Sequence, residues 1–469
     1  PTLTPVPPTP LPTETPTSPP SPTPDATMTP STGPTLPAAL PPGPRPQYLL
    51  FAQLDYARKR VDVDYLAAYP NQTGQPLDTL VLAVEPNLYA NGFILLAITY
   101  NGQAVPYRIN GNRLEVPLPA PLPAGETASL GMTYRLWLPQ KGGGQVYGYN
   151  NAQINLVNWI PQFVPYQPGA GWLIYAPWPF GEHLSFDSAD FEINLRVTDP
   201  ALGVQVAASA PAQPNGDWMR YRLEAARMFA LSASPLFISE SRQVYGITVT
   251  STCFSGREAA GRAMLGYAEQ AITLYANLFG PYPYPSLSIV ETHLNDGMEY
   301  DGLIFLSGSF YAEYNGTARS NLAMIGVHEI AHQWWYGAVG NNQAQEPWLD
   351  EALATYAERI FYERTYPADL AWWWNFRINF FAPTGYVDTT IFNGGNFRQY
   401  TNAVYLNGAN FLEELRGQIG DDAFFAFLKD YTTQMSGRRT TQADFFRILA
   451  EHSRADISNL TRRYFQNPP

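Results

Sequence analysis

A chain of 469 residues is too long for one ordinary core and predicts two or three domains. Charged residues make up only 14% of it, the net charge is −12, and lysine occurs at positions 59, 141 and 429 alone, so the sequence has no dense basic patch that would track nucleic-acid phosphates. The single cysteine, Cys253, excludes an intrachain disulfide scaffold, and no apolar run reaches the roughly eighteen residues that span a bilayer.

Residues 1–46 form a tract rich in proline, threonine and serine that cannot bury enough apolar surface to offset its ordering entropy. It is expected to be a disordered or partly polyproline stalk. Such tracts resemble the spacers that hold bacterial extracellular proteins off a membrane or wall. With a chain that opens on Pro1, the expectation is a removed upstream secretion signal, an extracellular or cell-surface location and a surface tether through the stalk. A plain interdomain linker is the alternative.

Residues 47–239 read as all-β. Val61, Val63 and Tyr65 alternate with Asp62 and Asp64, further strands are read at 79–84, 93–100 and 114–118, and Asn101-Gly102 and Asn110-Gly111 mark hairpin turns. The aromatic residues scattered among prolines at 159–163 and 171–180 read as core and loop packing, with a glycan-binding platform as the alternative. From about residue 240 the pattern changes to an amphipathic helix over 258–279, a Gly280-Pro-Tyr-Pro-Tyr-Pro segment, and short apolar strands near 288–292 and 303–306. Asp296-Gly-Met-Glu-Tyr-Asp-Gly302 separates those two strands.

His328, Glu329 and His332 follow in the order His-Glu-Ile-Ala-His, inside a stretch, 322–335, whose composition favours a helix. Residues four apart lie about 40° apart around a helix axis and roughly 6 Å along it, so both imidazoles project from one face. Zinc accepts such nitrogens at about 2.0–2.1 Å, and Glu329 is left beside them to handle water. Catalytic zinc typically keeps about three protein ligands and one open position, so another ligand is expected from elsewhere. Eighteen residues separate His332 from Glu351, which rides a second helix opened by Pro347 and folded back through Gly340-Asn341-Asn342. A solvated carboxylate on a charged helix is the alternative for Glu351. Helices are also read at 410–419, 422–434 and 441–452.

His328-Glu-Ile-Ala-His-Gln-Trp-Trp, the gap after it and Trp348-Leu-Asp-Glu-Ala-Leu-Ala together resemble the zinc signature of the gluzincin aminopeptidases, the aminopeptidase N family. The resemblance implies one Zn2+ per chain, held by His328, His332 and Glu351, with Glu329 as the base. Gly297-Met298-Glu299 resembles the family's Gly-x-Met-Glu-Asn exopeptidase motif and implies that Glu299 holds the substrate's free α-amine. Tyr300 stands where that motif has asparagine, and Asp296 where a small residue is usual. Tyr405, in Asn402-Ala-Val-Tyr-Leu-Asn-Gly-Ala409, resembles the tyrosine that supports the oxyanion; an ordinary core tyrosine is the alternative.

The resemblance covers roughly residues 48 to 469. It implies a β plus α/β architecture: an all-β sandwich or saddle domain at 47–239, then a thermolysin-like, mostly α-helical catalytic domain at 240–469. The family's large C-terminal helical domain has no room in this sequence, so the closed chamber of longer relatives is not expected. The implied activity is a zinc metallopeptidase removing N-terminal residues from peptides. A zinc endopeptidase of the same fold, which would not need Glu299, is the alternative, and a non-catalytic surface binding protein a third reading.

Overall fold

A computed structural model describes residues 36–142 and 145–469, Ala38 excepted. Most of the expected stalk, residues 1–35, lies outside the described residues. Its last part has no regular structure before Gln47, and is tied down by Arg45 Nε on Asp190 at 2.6 Å and by Gln72 donating to the Pro44 carbonyl at 2.7 Å.

The two-residue alternation builds the first half of the chain. In Arg60–Pro70, Val61, Val63 and Tyr65 are buried, while Asp62 takes Arg135 at 2.6 Å and Arg60 at 3.0 Å on the wetter face. This strand pairs antiparallel with Thr127–Trp137 and with Gln47–Asp55, and Gln47–Asp55 pairs parallel with Ala189–Val197 at the centre of an eight-stranded sheet. Leu77–Ala83 and Arg113–Leu122 pair antiparallel in a second, four-stranded sheet. The rings of Tyr48 and Phe163, one from each sheet, meet at 6.0 Å, and the Tyr48 hydroxyl accepts from Phe163 N at 2.9 Å. Asn101 and Gly102 both have positive φ, 48° and 79°, as the tight hairpin turn requires. The next turn sits one residue later than the sequence reading placed it: Asn110 pairs with Arg113, and Gly111 takes the positive φ of 56°. Trp159 is fully buried and donates to the Phe229 carbonyl at 3.2 Å, whereas Trp178 is an exposed rim residue.

The second half opens on a five-stranded mixed sheet in the order Ile238–Val244, Ile247–Cys253, Ser286–Thr292, Leu303–Ser307, Gly297–Tyr300. The Glu258–Phe279 helix forms the crossover between its two parallel central strands. Gly297–Tyr300 pairs antiparallel with Leu303–Ser307 and is an edge strand, so one side of it is free of strand partners among the described residues. The remaining chain is helical, apart from short turns and loops.

Helix ends differ from the sequence reading where tertiary packing wins over propensity. The motif helix is Asn321–Ala331, capped by Ser320 Oγ accepting from Ala323 N at 3.4 Å, and it stops at His332 rather than continuing to Trp335. Trp334 and Trp335 are both buried, and Tyr336 takes φ 90°, so the chain must leave the helical path at once. The segment containing Tyr405 is a π-helical turn, Asn402–Leu406, that runs into the Asn407–Ile419 helix. A final helix, Ser458–Tyr464, was not read from the sequence.

One continuous apolar core joins the β half to the helical half. Arg227 is the polar tie between them. It is fully buried, and its guanidinium donates at 2.8 Å to each of the carbonyls of Tyr336, Phe186 and Arg438. A Cβ on Gly340 would collide with that guanidinium, which is why a residue without one occupies the turn between the two motif helices.

Candidate metal centre and cleft

His328 and His332 lie four apart on Asn321–Ala331 and its C-cap, and Glu351 lies in the first turn of Trp348–Thr365. All three are buried. His328 Nε2 is 3.1 Å from His332 Nε2 and 3.3 Å from Glu351 Oε2, and His332 Nε2 is 3.4 Å from Glu351 Oε2. Tetrahedral ligands about 2.0–2.1 Å from a zinc ion stand about 3.3 Å apart, so the triangle has the size of one zinc face.

The other ring nitrogens settle which atoms point inward. His328 Nδ1 lies 2.8 Å from Glu358 Oε1 and His332 Nδ1 3.0 Å from the Trp335 carbonyl, so each ring is anchored through Nδ1 and presents Nε2 to the same point. Burial opposes charge on these imidazoles, yet hydrogen bonds to Glu351 and Glu358 override it and raise His328 to about 9. Burial would raise Glu351, but His332 and His328 hold it well below the usual carboxylate range. The surroundings thus demand positive charge at this point, and a divalent cation fits the donor set.

Around the triangle is a cleft of about 200 Å³ lined by further carboxylates. Glu329 is buried, with Oε2 free of any hydrogen-bond partner among the described residues, and burial pushes its carboxyl well above the usual range. Its carboxylate lies so close to Gly297 that a Cβ there would collide with it. Glu299, on the edge strand, is buried and accepts from Gln343 at 3.4 Å, while Gln343 also donates to Asp350 at 2.9 Å. Burial raises the Glu299 carboxyl as well. Tyr300, the departure from the expected motif, turns its ring into the core against Phe305 at 5.9 Å, and its carbonyl accepts from Gln333 at 3.0 Å. Tyr405 lies parallel to the His328 ring at 6.1 Å and 9°, and burial keeps its phenol protonated far above its ordinary value.

The structure therefore brings His328, Glu329, His332, Glu351, Glu299 and Tyr405 to one cleft. Sequence reasoning missed three of their neighbours. Glu358 binds His328 Nδ1 and also accepts from Trp373 at 2.9 Å and Arg377 at 2.8 Å; its place seven residues after Glu351, about two helical turns, was the available signal. Glu182 had no such signal. It arrives on a loop of the β half, its oxygens within 4.8 Å of those of Glu299 and Glu351, with Oε2 buried and unpartnered and its carboxyl raised by burial and by Glu299. Gly181, at φ 71°, lets that loop press against Ile391 and Tyr400. Arg377 reaches Glu358 from a π-helical turn, Trp374–Ile378.

Comparison with known proteins agrees with this geometry. Residues 264–464 match the peptidase family M1 domain. Aminopeptidase M1-D of Oryza sativa subsp. japonica is 24% identical over 223 residues, covering 44% of this chain and 25% of that protein. Aminopeptidase N of Lactococcus lactis subsp. lactis is 25% identical over 226 residues, covering 44% of this chain and 26% of its own length. The chain thus spans about a quarter of the length of these curated relatives. The crystal structure of the M1 zinc metallopeptidase from Deinococcus radiodurans superposes with a TM-score of 0.65 at 20% identity, covering 90% of this chain and 93% of that one. A mutant of that protein bound to a Tyr-Ser-Ala substrate superposes equally well, TM-score 0.65 at 19% identity, over 90% of this chain and 94% of that one. A β domain followed by a helical domain carrying the His-Glu-x-x-His and Glu351 triangle is thus the fold shared with the M1 zinc metallopeptidase structures, and the helical part, residues 264–464, matches the peptidase family M1 domain.

Proposed function

We propose that this protein is a zinc aminopeptidase that removes single residues from the free N-terminus of peptides. The observation that carries the reading is the pair Glu182 and Glu299: a half-buried and a buried carboxyl group, the first with a shielded oxygen that has no partner among the described residues, set beside the ligand triangle. A cation at His328, His332 and Glu351 leaves these two carboxylates still short of positive charge, and an α-ammonium supplies it through charge-assisted hydrogen bonds. The amine is then held about one residue from the triangle, and the first peptide bond is the one in reach.

When bound, zinc supplies Lewis acidity to the scissile carbonyl and makes water acidic enough to attack near neutral pH. Glu329 takes the proton of the attacking water and passes it to the leaving nitrogen, a role its unpartnered Oε2 is free to play. Tyr405, kept protonated by burial, donates its O–H to the oxyanion as the carbonyl becomes tetrahedral. Glu358 and the Trp335 carbonyl fix the imidazoles so that neither ring reorients during turnover.

The test is hydrolysis of leucine amide against its N-acetyl form. The reading expects the free amine to be preferred by about 10²-fold or more, because an acetyl group leaves buried carboxylates unpaired. Equal rates on both would make the protein an endopeptidase instead.

The proline-rich tract, residues 1–46, supports a tether that holds the enzyme at a cell surface or in the extracellular space. No helix among the described residues is long and apolar enough to cross a membrane. Removing residues 1–35 is expected to leave kcat/KM within about twofold and to change only attachment, as judged by fractionation of cells carrying the full-length protein.

A further inference from the structure

Next to the cleft is a second cavity of about 600 Å³, and the two share Asp296, Ile325 and Arg377. One side of it is apolar, with Met324 and Ile325 of the motif helix and Trp372, Phe376, Phe380 and Phe381, while Asn295, Asn321 and Asn375 add polar groups to the lining. Phe380 is 80% exposed and Phe376 46%, so the fold does not use these rings to fill its core. They are nonetheless ordered by contact. Trp372 stacks on Phe376 at 5.0 Å and 13°, and the Arg398 guanidinium lies 4.2 Å over the Phe381 ring. The aromatic run sits on a π turn followed by a single 3₁₀ turn, Asn379–Phe381, an irregular path of the kind that accompanies functional sites in helices. A contiguous apolar surface open to solvent beside a catalytic cleft is a binding site in want of a ligand.

We infer that this cavity receives a large apolar side chain, aromatic or long aliphatic, on the leaving part of the substrate, within the two residues that follow the scissile bond. The inference rests on the aminopeptidase reading for its direction. Glu299 lies near one end of the Gly297–Tyr300 edge strand, and Asp296, the residue common to both cavities, lies just beyond the other. A peptide added antiparallel to that free edge, with its amine at Glu299, advances about 3.4 Å per residue and reaches Asp296 two or three residues along. Its first carbonyl has by then passed the ligand triangle. The charged groups at the junction do not call for a charged side chain: Arg377 is already paired with Glu358 at 2.8 Å, and Asp296 accepts from Gly297 N at 3.1 Å within the field of Arg377.

The test compares kcat/KM for Leu-Ala-Ala, Leu-Phe-Ala, Leu-Ala-Phe and Leu-Ala-Glu, on the full chain and on Phe376→Ala and Phe380→Ala. Burying one aromatic ring is expected to raise kcat/KM about tenfold or more at one of the two leaving positions. Both variants should bring that ratio down to within about threefold of unity, and Phe380→Leu should retain part of it. A flat profile for the full chain overturns the proposal, and is what a cavity covered by a second copy of the chain would give. An aromatic preference unchanged in both variants overturns it equally. Leucine amide has no leaving side chain and reports on the amine end alone. If it is refused while N-acetyl tripeptides are cleaved with the same aromatic preference, the aminopeptidase reading fails and the cavity assignment stands. Should turnover be too slow to follow, calorimetric affinities of zinc-loaded Glu329→Gln for Leu-Phe-Ala, Leu-Ala-Phe and Leu-Ala-Ala decide the matter, equal values for all three overturning the proposal.

Discussion

The two ends of the cleft are built on opposite principles. At the proposed amine end, Glu182, Glu299 and Glu351 come from a loop, an edge strand and a helix and meet within 4.8 Å; Gln343 donates to Glu299, the histidines face Glu351, and Glu358 accepts from the far nitrogen of His328. At the leaving end, Trp372, Phe376, Phe380 and Phe381 come from one local segment and lie partly open to water. Charge chemistry needs burial and fixed partners, since the strength of each interaction depends on the absence of water. Apolar recognition needs only area, and tolerates exposure and imprecision. The amine end should therefore respond steeply to single-atom changes and the leaving end gradually.

The largest effect is expected at the triangle itself. His332→Ala should lose both bound zinc, by elemental analysis, and measurable hydrolysis of leucine amide; full zinc occupancy in that variant would remove His332 from the ligand set. Glu329→Gln changes one atom and should keep the metal while lowering kcat by about 10²–10⁴-fold. Next comes the amine anchor. Glu299→Ala is expected to reduce kcat/KM on leucine amide by about 10²-fold and to leave N-acetyl peptides far less affected, with Glu182→Gln showing the same split to a smaller degree. A loss equal on free and blocked substrates would mean that these carboxylates shape the cleft without reading the amine.

One layer out, Glu358→Gln keeps the size of the side chain but weakens its hold on His328 Nδ1 and on Arg377. Zinc affinity should fall about ten- to a hundredfold, measured by competition with a chelator, while the fold survives by circular dichroism. An unchanged affinity would show that the helix alone orients His328.

The smallest expected effect lies outside the cleft, at a half-buried ammonium. Burial lowers the Lys141 ammonium from 10.5 to about 7, and no carboxylate pairs with it among the described residues. Between those two values the unfolded chain keeps a proton that the folded chain has released, so stability rises as pH rises through that window. Below about pH 7 both states are protonated and the folded state bears the full cost of burial. Lys141→Met should be more stable than the parent at pH 6 and should lose part of the upward slope between pH 7 and 10, in urea titrations. A slope identical to the parent's would place the Lys141 ammonium in water.

How far the site could be read in advance depended on how local its geometry is. His328, Glu329 and His332 follow from the turn of one helix, and the sequence reading put the two imidazoles on one face with Glu329 on the same helix, although it ran that helix to 335 when the buried Trp334 and Trp335 end it at His332. Glu299 and Tyr405 were reached through resemblance alone: an edge strand and a π turn have no periodicity that singles out one residue. Glu358 had a spacing signal that went unused. Glu182 and the exposed aromatic rings had none.

By itself, the sequence determined the β half through two-residue alternation, the crossover helix Glu258–Phe279 through its amphipathic period, and the histidine pair through the helical turn, because each is set by neighbours along the chain. Tertiary structure alone decided that Glu182, more than a hundred residues before Glu299, would stand beside it, that His328 would be oriented by Glu358 and Arg377, and that a second, apolar cavity would open beyond Asp296. Those placements depend on how the two halves close on one core around Arg227. Packing of that kind is a property of shape and volume, which a linear pattern of residue types does not encode locally.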